Sequence, residues 1–176
     1  MSMRVGIGYD IHRFREGKGS LKLGGVAIPH ARGLEGHSDA DVLLHAVADA
    51  LLGAIGSPDL GELFPTTDPR WKRADSRRFV REAYARVRKA GWRVGNLDTT
   101  VIADSPKLTP HKAKMCRAIS RLLDLEPSDV SVKAKTTEGL PPGDDGIAAQ
   151  AVVLLTRHPA NGRTPSPQGL GRGRSR

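Results

Sequence analysis

Aromatic residues and cysteine are scarce in this sequence. Phe, Trp and Tyr make up only 4% of the 176 residues, so a hydrophobic core has to be built mainly from Val, Leu, Ile and Ala. Cys116 is the single cysteine and cannot form an internal disulfide, which agrees with a reducing compartment. A hydrophobic content of 38% still suits a globular protein, and the length is sufficient for one domain.

Long apolar segments are also missing. No run approaches the roughly 20 residues that a membrane-spanning helix requires. The stretch from Met1 to Gly6 lacks the apolar core of a signal peptide. We therefore expect a cytoplasmic protein with no membrane partner.

Acidic residues are absent from residues 159–176, which contain four arginines. Without those arginines the formal net charge falls from +9 to 9 − 4 = +5. A charge of this size suits a protein whose ligand carries several phosphates, and we do not expect nucleic acid as a partner. The same segment has almost no large apolar side chain and cannot offset its ordering entropy by burial. We predict a single domain over residues 1–158 and a basic, disordered Pro/Gly/Arg-rich tail over residues 159–176.

Hydrophobic spacing predicts strands mixed with helices along the body of the chain. The predicted strands are Val5–Tyr9, a hairpin over Leu21–Ile28, Arg93–Ala103, Val130–Thr136 and Ile147–Thr156. One predicted helix is capped by Ser38 or Asp39 and reaches Ile55, a second runs from Asp75 or Ser76 to Gly91, and a third begins at Thr109. This order predicts an α/β (α+β) fold, a two-layer sandwich of a mixed β-sheet with helices on one face.

Histidine and aspartate cluster at two places near the N-terminus. Asp10 and His12 are two residues apart on a strand and point to the same face. Asp41, His45 and Asp49 form one polar stripe on the following helix. With His45 as a third ligand, Asp10 and His12 would hold a metal ion that keeps one coordination position open, as in catalytic zinc sites. Asp49 or Asp41 is a candidate to orient the imidazole of His45. The alternative is a hydrogen-bonded Asp-x-His pair beside a solvated acidic helix flank.

Two further segments are rich in polar groups. Residues 59–68 contain acids and turn residues and are typical of a loop. Residues 133–139 lie at the end of a predicted strand and contain lysines and hydroxyls suited to phosphate oxygens. Glu138 in this segment is suited to a harder cation such as Mg²⁺. A polar strand end without a ligand is the alternative.

In this order and spacing, the four segments resemble the 2-C-methyl-D-erythritol 2,4-cyclodiphosphate synthase family, from about Arg4 to Leu155. The motifs that carry the resemblance are Gly8-x-Asp10-x-His12, His37-Ser38-Asp39-x-Asp41-x-x-x-His45, Phe64-Pro65 with Asp68-Pro69, Ala74-Asp75-Ser76, and Thr136-Thr137-Glu138.

The resemblance implies a set of site residues. Zn²⁺ is implied at Asp10, His12 and His45, and Mg²⁺ or Mn²⁺ is implied at the diphosphate, held by Glu138. His37 and Thr136 are implied as catalytic residues. The implied substrate-binding residues are Asp10, His12, His37, Ser38, Asp59, Leu60, Gly61, Phe64, Pro65, Thr66, Thr67, Asp68, Ala103, Asp104, Ser105, Pro106, Lys107, Leu108, Thr109, Lys135, Thr136, Thr137 and Glu138.

The resemblance also implies a reaction and an assembly. In the family, 4-diphosphocytidyl-2-C-methyl-D-erythritol 2-phosphate is closed into 2-C-methyl-D-erythritol 2,4-cyclodiphosphate with release of CMP, a lyase step of the methylerythritol phosphate pathway. The family forms a homotrimer with active sites at the subunit interfaces, and we expect the same here. The loop from Leu140 to Gly146 departs from the family, because it is shorter and lacks the Phe and Arg linked there to binding isoprenoid diphosphates at the trimer axis.

Two other functions are compatible with parts of the pattern. A zinc-dependent phosphoesterase on a nucleotide-like substrate would use the same three ligands with water as the nucleophile. A basic nucleic-acid-binding module would instead need charge and aromatic residues on a folded face.

Overall fold

The main architectural feature is a sheet with helices packed against it. The computed structural model describes residues 2–140 and 143–157. In chain order its elements are β1 (Met3–Arg13), β2 (Leu21–Leu23), β3 (Val26–Ile28), α1 (Val42–Ala54), α2 (Leu60–Leu63), α3 (Arg77–Lys89), β4 (Trp92–Ile102), α4 (Lys112–Leu122), β5 (Val130–Lys135) and β6 (Gly146–Arg157).

The main sheet is mixed, with the strand order β1-β6-β4-β5, and β2 and β3 form a separate hairpin. Strand β6 is antiparallel to both β1 and β4, whereas β4 and β5 are parallel. The carboxyl ends of β1, β4 and β5 therefore lie at the same end of the sheet. The mixed sheet with helices confirms the predicted α+β class.

Glycines on β1 allow α1 to lie very close to the sheet. Gly6 and Gly8 are buried, and a Cβ atom on either would come within 2.0 Å of a backbone carbonyl oxygen of α1. The alternate side chains of β1 point to the opposite face of the sheet, where the large apolar ones are 45–70% exposed: Met3, Val5, Ile7, Tyr9 and Ile11. The helices thus cover one face, as predicted, and the other face is open in a single chain.

The first helix begins later than predicted. Its N-cap is Asp41, which accepts a hydrogen bond from Leu44 N at 3.1 Å, so the prediction of Ser38 or Asp39 as the cap was wrong. The reason is Ala40, whose φ of +56° is left-handed and separates residues 38–39 from the helix. Asp41 also accepts hydrogen bonds from Gly24 N at 2.8 Å and Gly25 N at 2.6 Å, which join the hairpin to the start of α1.

The other predicted elements are confirmed, with small changes at their ends. Strand β1 extends to Arg13 instead of ending at Tyr9, and the segment expected as a loop contains the one-turn helix α2. Among the described helices, none is long and apolar enough to cross a membrane. The predicted tail, residues 159–176, lies outside the described residues, as do Pro141 and Pro142 of the shortened loop.

Candidate active site

Asp10, His12 and His45 meet between β1 and α1. Asp10 and His12 point from β1 toward α1, and His45 comes from the first turn of that helix. Asp10 Oδ2 lies 3.0 Å from His12 Nε2 and 2.9 Å from His45 Nδ1, and the two nitrogens are 3.2 Å apart. The three side chains predicted as a metal site therefore lie together.

Contacts within the triad shift the pKa values of Asp10 and His12. Burial favours a higher pKa for Asp10, but hydrogen bonds and charge from His12 and His45 outweigh it and lower the pKa far below its usual range. Burial likewise favours a lower pKa for His12, and its hydrogen bond to Asp10 raises the pKa instead. Asp10 is thus an anion over the physiological range, ready to bind a cation.

The three donor atoms fit a divalent metal ion. A tetrahedral zinc ion at about 2.0–2.2 Å from each ligand would place the ligand atoms roughly 3.4 Å apart. The observed separations of 2.9, 3.0 and 3.2 Å form a nearly regular triangle that needs only a small expansion. In the part of the chain that the structure describes, Asp10, His12 and His45 are the group of acidic and histidine side chains that lie close enough together to hold a metal ion.

Ser76 and Ser38 contact the outer nitrogen of His45. His45 Nε2 lies 3.0 Å from Ser76 Oγ and 3.1 Å from Ser38 Oγ. The prediction that Asp41 or Asp49 orients the imidazole was wrong, because Asp41 bonds the backbone amides named above and Asp49 accepts a hydrogen bond from Leu60 N at 2.8 Å. Sequence reasoning treated Ser76 as part of a motif and a helix start and did not identify this contact.

A cavity of about 300 Å³ opens beside the triad. The predicted residues that line it, besides the triad, are His37, Ser38, Asp59, Leu60, Gly61, Phe64 and Thr66. Asp49, Trp71 and Phe79 also line it and had not been predicted as binding residues. Phe64, Trp71 and Phe79 pack against one another with ring centres 4.9–5.7 Å apart and with Trp71 edge-on to both phenylalanines, so one wall of the cavity is apolar.

Two polar atoms of this cavity are buried without a hydrogen-bond partner among the described residues, His37 Nε2 and Trp71 Nε1. A buried polar atom left unpaired is costly, so both are suited to a ligand atom. The pKa of Asp49 is raised by burial, even though the hydrogen bond from Leu60 N opposes this.

The segment at residues 59–68 is anchored by its own aspartates. Asp59 caps α2 by accepting a hydrogen bond from Glu62 N at 2.9 Å, and Asp68 accepts one from Arg70 N at 2.9 Å. Pro65 and Thr67 are exposed and do not belong to the cavity wall. Asp68 N donates a hydrogen bond to Pro65 O at 3.0 Å, which closes the turn that contains Thr66 and Thr67.

The second group of predicted residues lies at a different part of the sheet. Residues 103–109 follow β4 and residues 136–138 follow β5, and Asp104 joins them by accepting hydrogen bonds from Thr137 N at 2.7 Å and Thr137 Oγ1 at 2.6 Å. Those hydrogen bonds hold the pKa of Asp104 below its usual range. The hydroxyl of Thr136 donates to the carboxylate of Glu138, which is exposed.

These residues do not line the cavity beside the triad. The register pairs Asp10 with Ala149, Ala149 with Val101, and Val101 with Ala134. Three strand spacings of roughly 4.8 Å therefore put β5 about 14 Å from Asp10 at the same end of the sheet. Within one chain the predicted site residues therefore form two separate groups, one around the triad and one at the ends of β4 and β5.

Comparison with known proteins gives a consistent result. The model of the YgbB family matches residues 3–156. A 2-C-methyl-D-erythritol 2,4-cyclodiphosphate synthase from Ralstonia pickettii is 55% identical over 159 residues, covering 89% of this chain and 94% of that protein. One from Synechococcus elongatus is 51% identical over 156 residues, covering 88% and 97%. The solved structure of such a synthase with bound CDP has a TM-score of 0.81 and 42% identity, covering 87% of this chain and 100% of that chain.

Proposed function

The chain belongs to the YgbB family, and we propose that it converts 4-diphosphocytidyl-2-C-methyl-D-erythritol 2-phosphate into 2-C-methyl-D-erythritol 2,4-cyclodiphosphate with release of CMP. The observation that carries this proposal is the triad of Asp10, His12 and His45 in the lining of a cavity with an aromatic wall. Two imidazole nitrogens and one carboxylate favour zinc over magnesium at this position. A bound ion there would polarise the β-phosphate of the substrate.

The reaction needs little proton transfer. The 2-phosphate of the substrate is already an anion at neutral pH, and one of its oxygens forms the new bond to the β-phosphorus. The bond from that phosphorus to the oxygen bridging it to the α-phosphate breaks, and CMP leaves with the electron pair. Catalysis therefore consists of positioning and charge neutralisation, and the free Nε2 of His37 is suited to a phosphate oxygen in the transition state.

Residues 59–68 are proposed to hold the methylerythritol phosphate part. Asp59 uses Oδ1 for its helix cap, so its other oxygen remains for a substrate hydroxyl. Leu60, Gly61, Phe64 and Thr66 enclose the same space, and Ser38 lies beside it. The aromatic wall limits attack by water, which favours cyclisation over hydrolysis.

Residues 103–109 and 135–138 are proposed to bind the cytidine and the diphosphate. Thr136 and Glu138 present a hydroxyl and a carboxylate, with Lys135 exposed beside them, and Glu138 would hold the second cation, Mg²⁺ or Mn²⁺. Since this group lies about 14 Å from Asp10 in one chain, we place it at the triad of a neighbouring chain in a homotrimer.

The open face of β1 supports such an assembly. Five large apolar side chains on one strand are between 45% and 70% exposed, which is a contiguous patch of the kind that marks interfaces. Ile7→Lys places a charge at the centre of this patch and should give monomers by analytical ultracentrifugation. Ala85→Lys, at an exposed position of α3 in the other layer, should leave the trimer intact. A trimeric Ile7→Lys variant would contradict this interface.

The activity itself is tested by phosphorus NMR with the purified protein, the substrate, Zn²⁺ and Mg²⁺. We expect a cyclic diphosphate and equimolar CMP from the wild type, and neither from Asp10→Asn. Asp124→Asn changes an exposed aspartate outside the cavity and should behave as wild type. A linear product would favour the zinc-dependent phosphoesterase, and intact substrate would refute both activities.

A further inference from the structure

Ser76 occupies a helix-capping position without capping the helix. Serine at an N-cap normally accepts a hydrogen bond from an amide in the first turn. Ser76 stands at the N-cap of α3, yet its side chain makes no such bond. It is completely buried, and its hydroxyl contacts Asp39 and His45 Nε2 instead. The capping contribution is thus replaced by a contact with the triad.

The donors and acceptors around Ser76 determine where its proton lies. Asp39 Oδ1 accepts hydrogen bonds from both the backbone amide and the hydroxyl of Ser76, and Asp39 Oδ2 pairs with Lys22 Nζ at 3.1 Å. A carboxylate only accepts, so the Ser76 hydroxyl has to donate its proton to Asp39. Its remaining lone pairs face His45 Nε2 at 3.0 Å and can accept a proton from that nitrogen.

Without metal, His45 Nδ1 lies 2.9 Å from Asp10 Oδ2 and donates to it. An ion bound at Nδ1 would take the lone pair of that nitrogen, and the imidazole proton would then lie on Nε2, toward Ser76. A metal ion binds the unprotonated nitrogen of a neutral imidazole, and the partner of the other nitrogen selects that form. Building on the zinc site of the proposed function, we infer that Asp39 and Ser76 are positioning residues that present His45 Nδ1 to the metal. Ser38 Oγ also lies 3.1 Å from His45 Nε2, but it already accepts a hydrogen bond from Ala40 N and lines the cavity, where a substrate can compete for it.

The inference is tested by zinc affinity, measured by competition with a chromophoric chelator, and by the visible spectrum of the Co²⁺-loaded protein. Ser76→Ala should weaken zinc binding by about 10–100-fold and change the Co²⁺ bands. Ser120→Ala is the matched control, because Ser120 is also a buried serine but donates to Arg117 O at 3.2 Å, away from the triad. It should leave affinity and spectrum unchanged.

A role limited to holding the chain together predicts a different result. In that case Ser76→Ala and Ser120→Ala would both lower the melting temperature of the metal-free protein, and neither would change the zinc affinity. Wild-type zinc affinity in Ser76→Ala would therefore overturn the inference. If Ser76→Ala fails to fold, Asp39→Asn keeps the hydroxyl, and we expect it to weaken zinc binding by about 10-fold; unchanged affinity there would overturn the inference equally.

The assay separates this inference from the proposed function. A wild type that binds zinc but forms no cyclic product would refute the function, while the affinity ratio between wild type and Ser76→Ala would still decide the role of Ser76. A wild type that binds no zinc would refute both. Cyclisation by the wild type with no effect of Ser76→Ala on affinity would refute the inference alone.

Discussion

The spacing between β1 and α1 is predicted to control metal binding through Gly8, which is not a ligand. A Cβ atom on Gly8 would lie 2.0 Å from Ala46 O and 2.7 Å from Ala50 N, whereas real Cβ contacts are essentially never shorter than 3.0 Å. Both obstructing atoms belong to the helix backbone and have no rotamer to change. Gly8→Ala therefore has to push α1 away from the strand by about 1 Å.

This displacement would carry His45 away from its partners, because His45 precedes Ala46 on the same helical turn. Metal sites tolerate changes in ligand distance of only about 0.2 Å, so a shift five times larger removes His45 from the ligand set. Loss of an outer-shell partner costs about 10–100-fold in metal affinity, and we expect Gly8→Ala to exceed that. Overpacking should lower the free energy of unfolding by about 1–3 kcal/mol.

The assay is zinc titration against a chromophoric chelator, with urea unfolding of the metal-free protein in parallel. Gly53→Ala is the matched control, because Gly53 lies on α1, is exposed, and would place its Cβ 3.8 Å from Ile7 O, an ordinary contact. It should keep zinc affinity and add up to about 1 kcal/mol of stability through helix propensity. Wild-type zinc affinity in Gly8→Ala would refute the argument that close strand-helix packing sets the site.

Three further results are expected. The metal-free protein should lose stability as the pH rises above about 6.5, because the raised pKa of His12 gives a contribution that is complete below the unfolded value of about 6.5 and disappears above the higher folded value. Zinc should reverse this trend, and equal slopes of melting temperature against pH with and without zinc would contradict it. Asp41→Ala should cost at least about 3 kcal/mol in urea unfolding, because it removes a cap and leaves the amides of Gly24 and Gly25 unpaired. Asp104→Ala should raise KM roughly tenfold without changing zinc affinity, because it removes the two hydrogen bonds that hold Thr137 beside residues 103–109. An altered zinc affinity would argue against two separate groups of site residues.

Two of the three metal ligands could be predicted from a short-range rule. Residues two apart on a strand share a face, which brings Asp10 and His12 together without knowledge of the fold. His45 required the long-range step of placing α1 on β1, and the family resemblance supplied it. Gly6 and Gly8 carried the physical signal for that step, since two glycines on the same strand face permit a close helix.

The supporting contacts could not be predicted from local rules. Asp39, Asp41 and Ser38 are all good capping residues, and the choice among them depends on the left-handed Ala40 and on amides from the β2–β3 hairpin. Ser76 is equally misleading, because its position before α3 is typical of a cap. Side chains with several suitable partners are assigned only when the packing of distant segments is known.

The separation of the site into two groups follows from the strand order. Strands β1 and β5 are the two edges of the sheet, so residues at their carboxyl ends cannot approach each other within one chain, whatever their side chains. The substrate carries the reacting phosphates between a cytidine and a methylerythritol unit, so both groups have to reach it at once. An assembly that places the β5 end of one chain beside the β1 end of the next satisfies this requirement without moving any strand. On this reasoning, a monomeric variant would keep the metal site of Asp10, His12 and His45 and still lack turnover, which separates metal binding from catalysis.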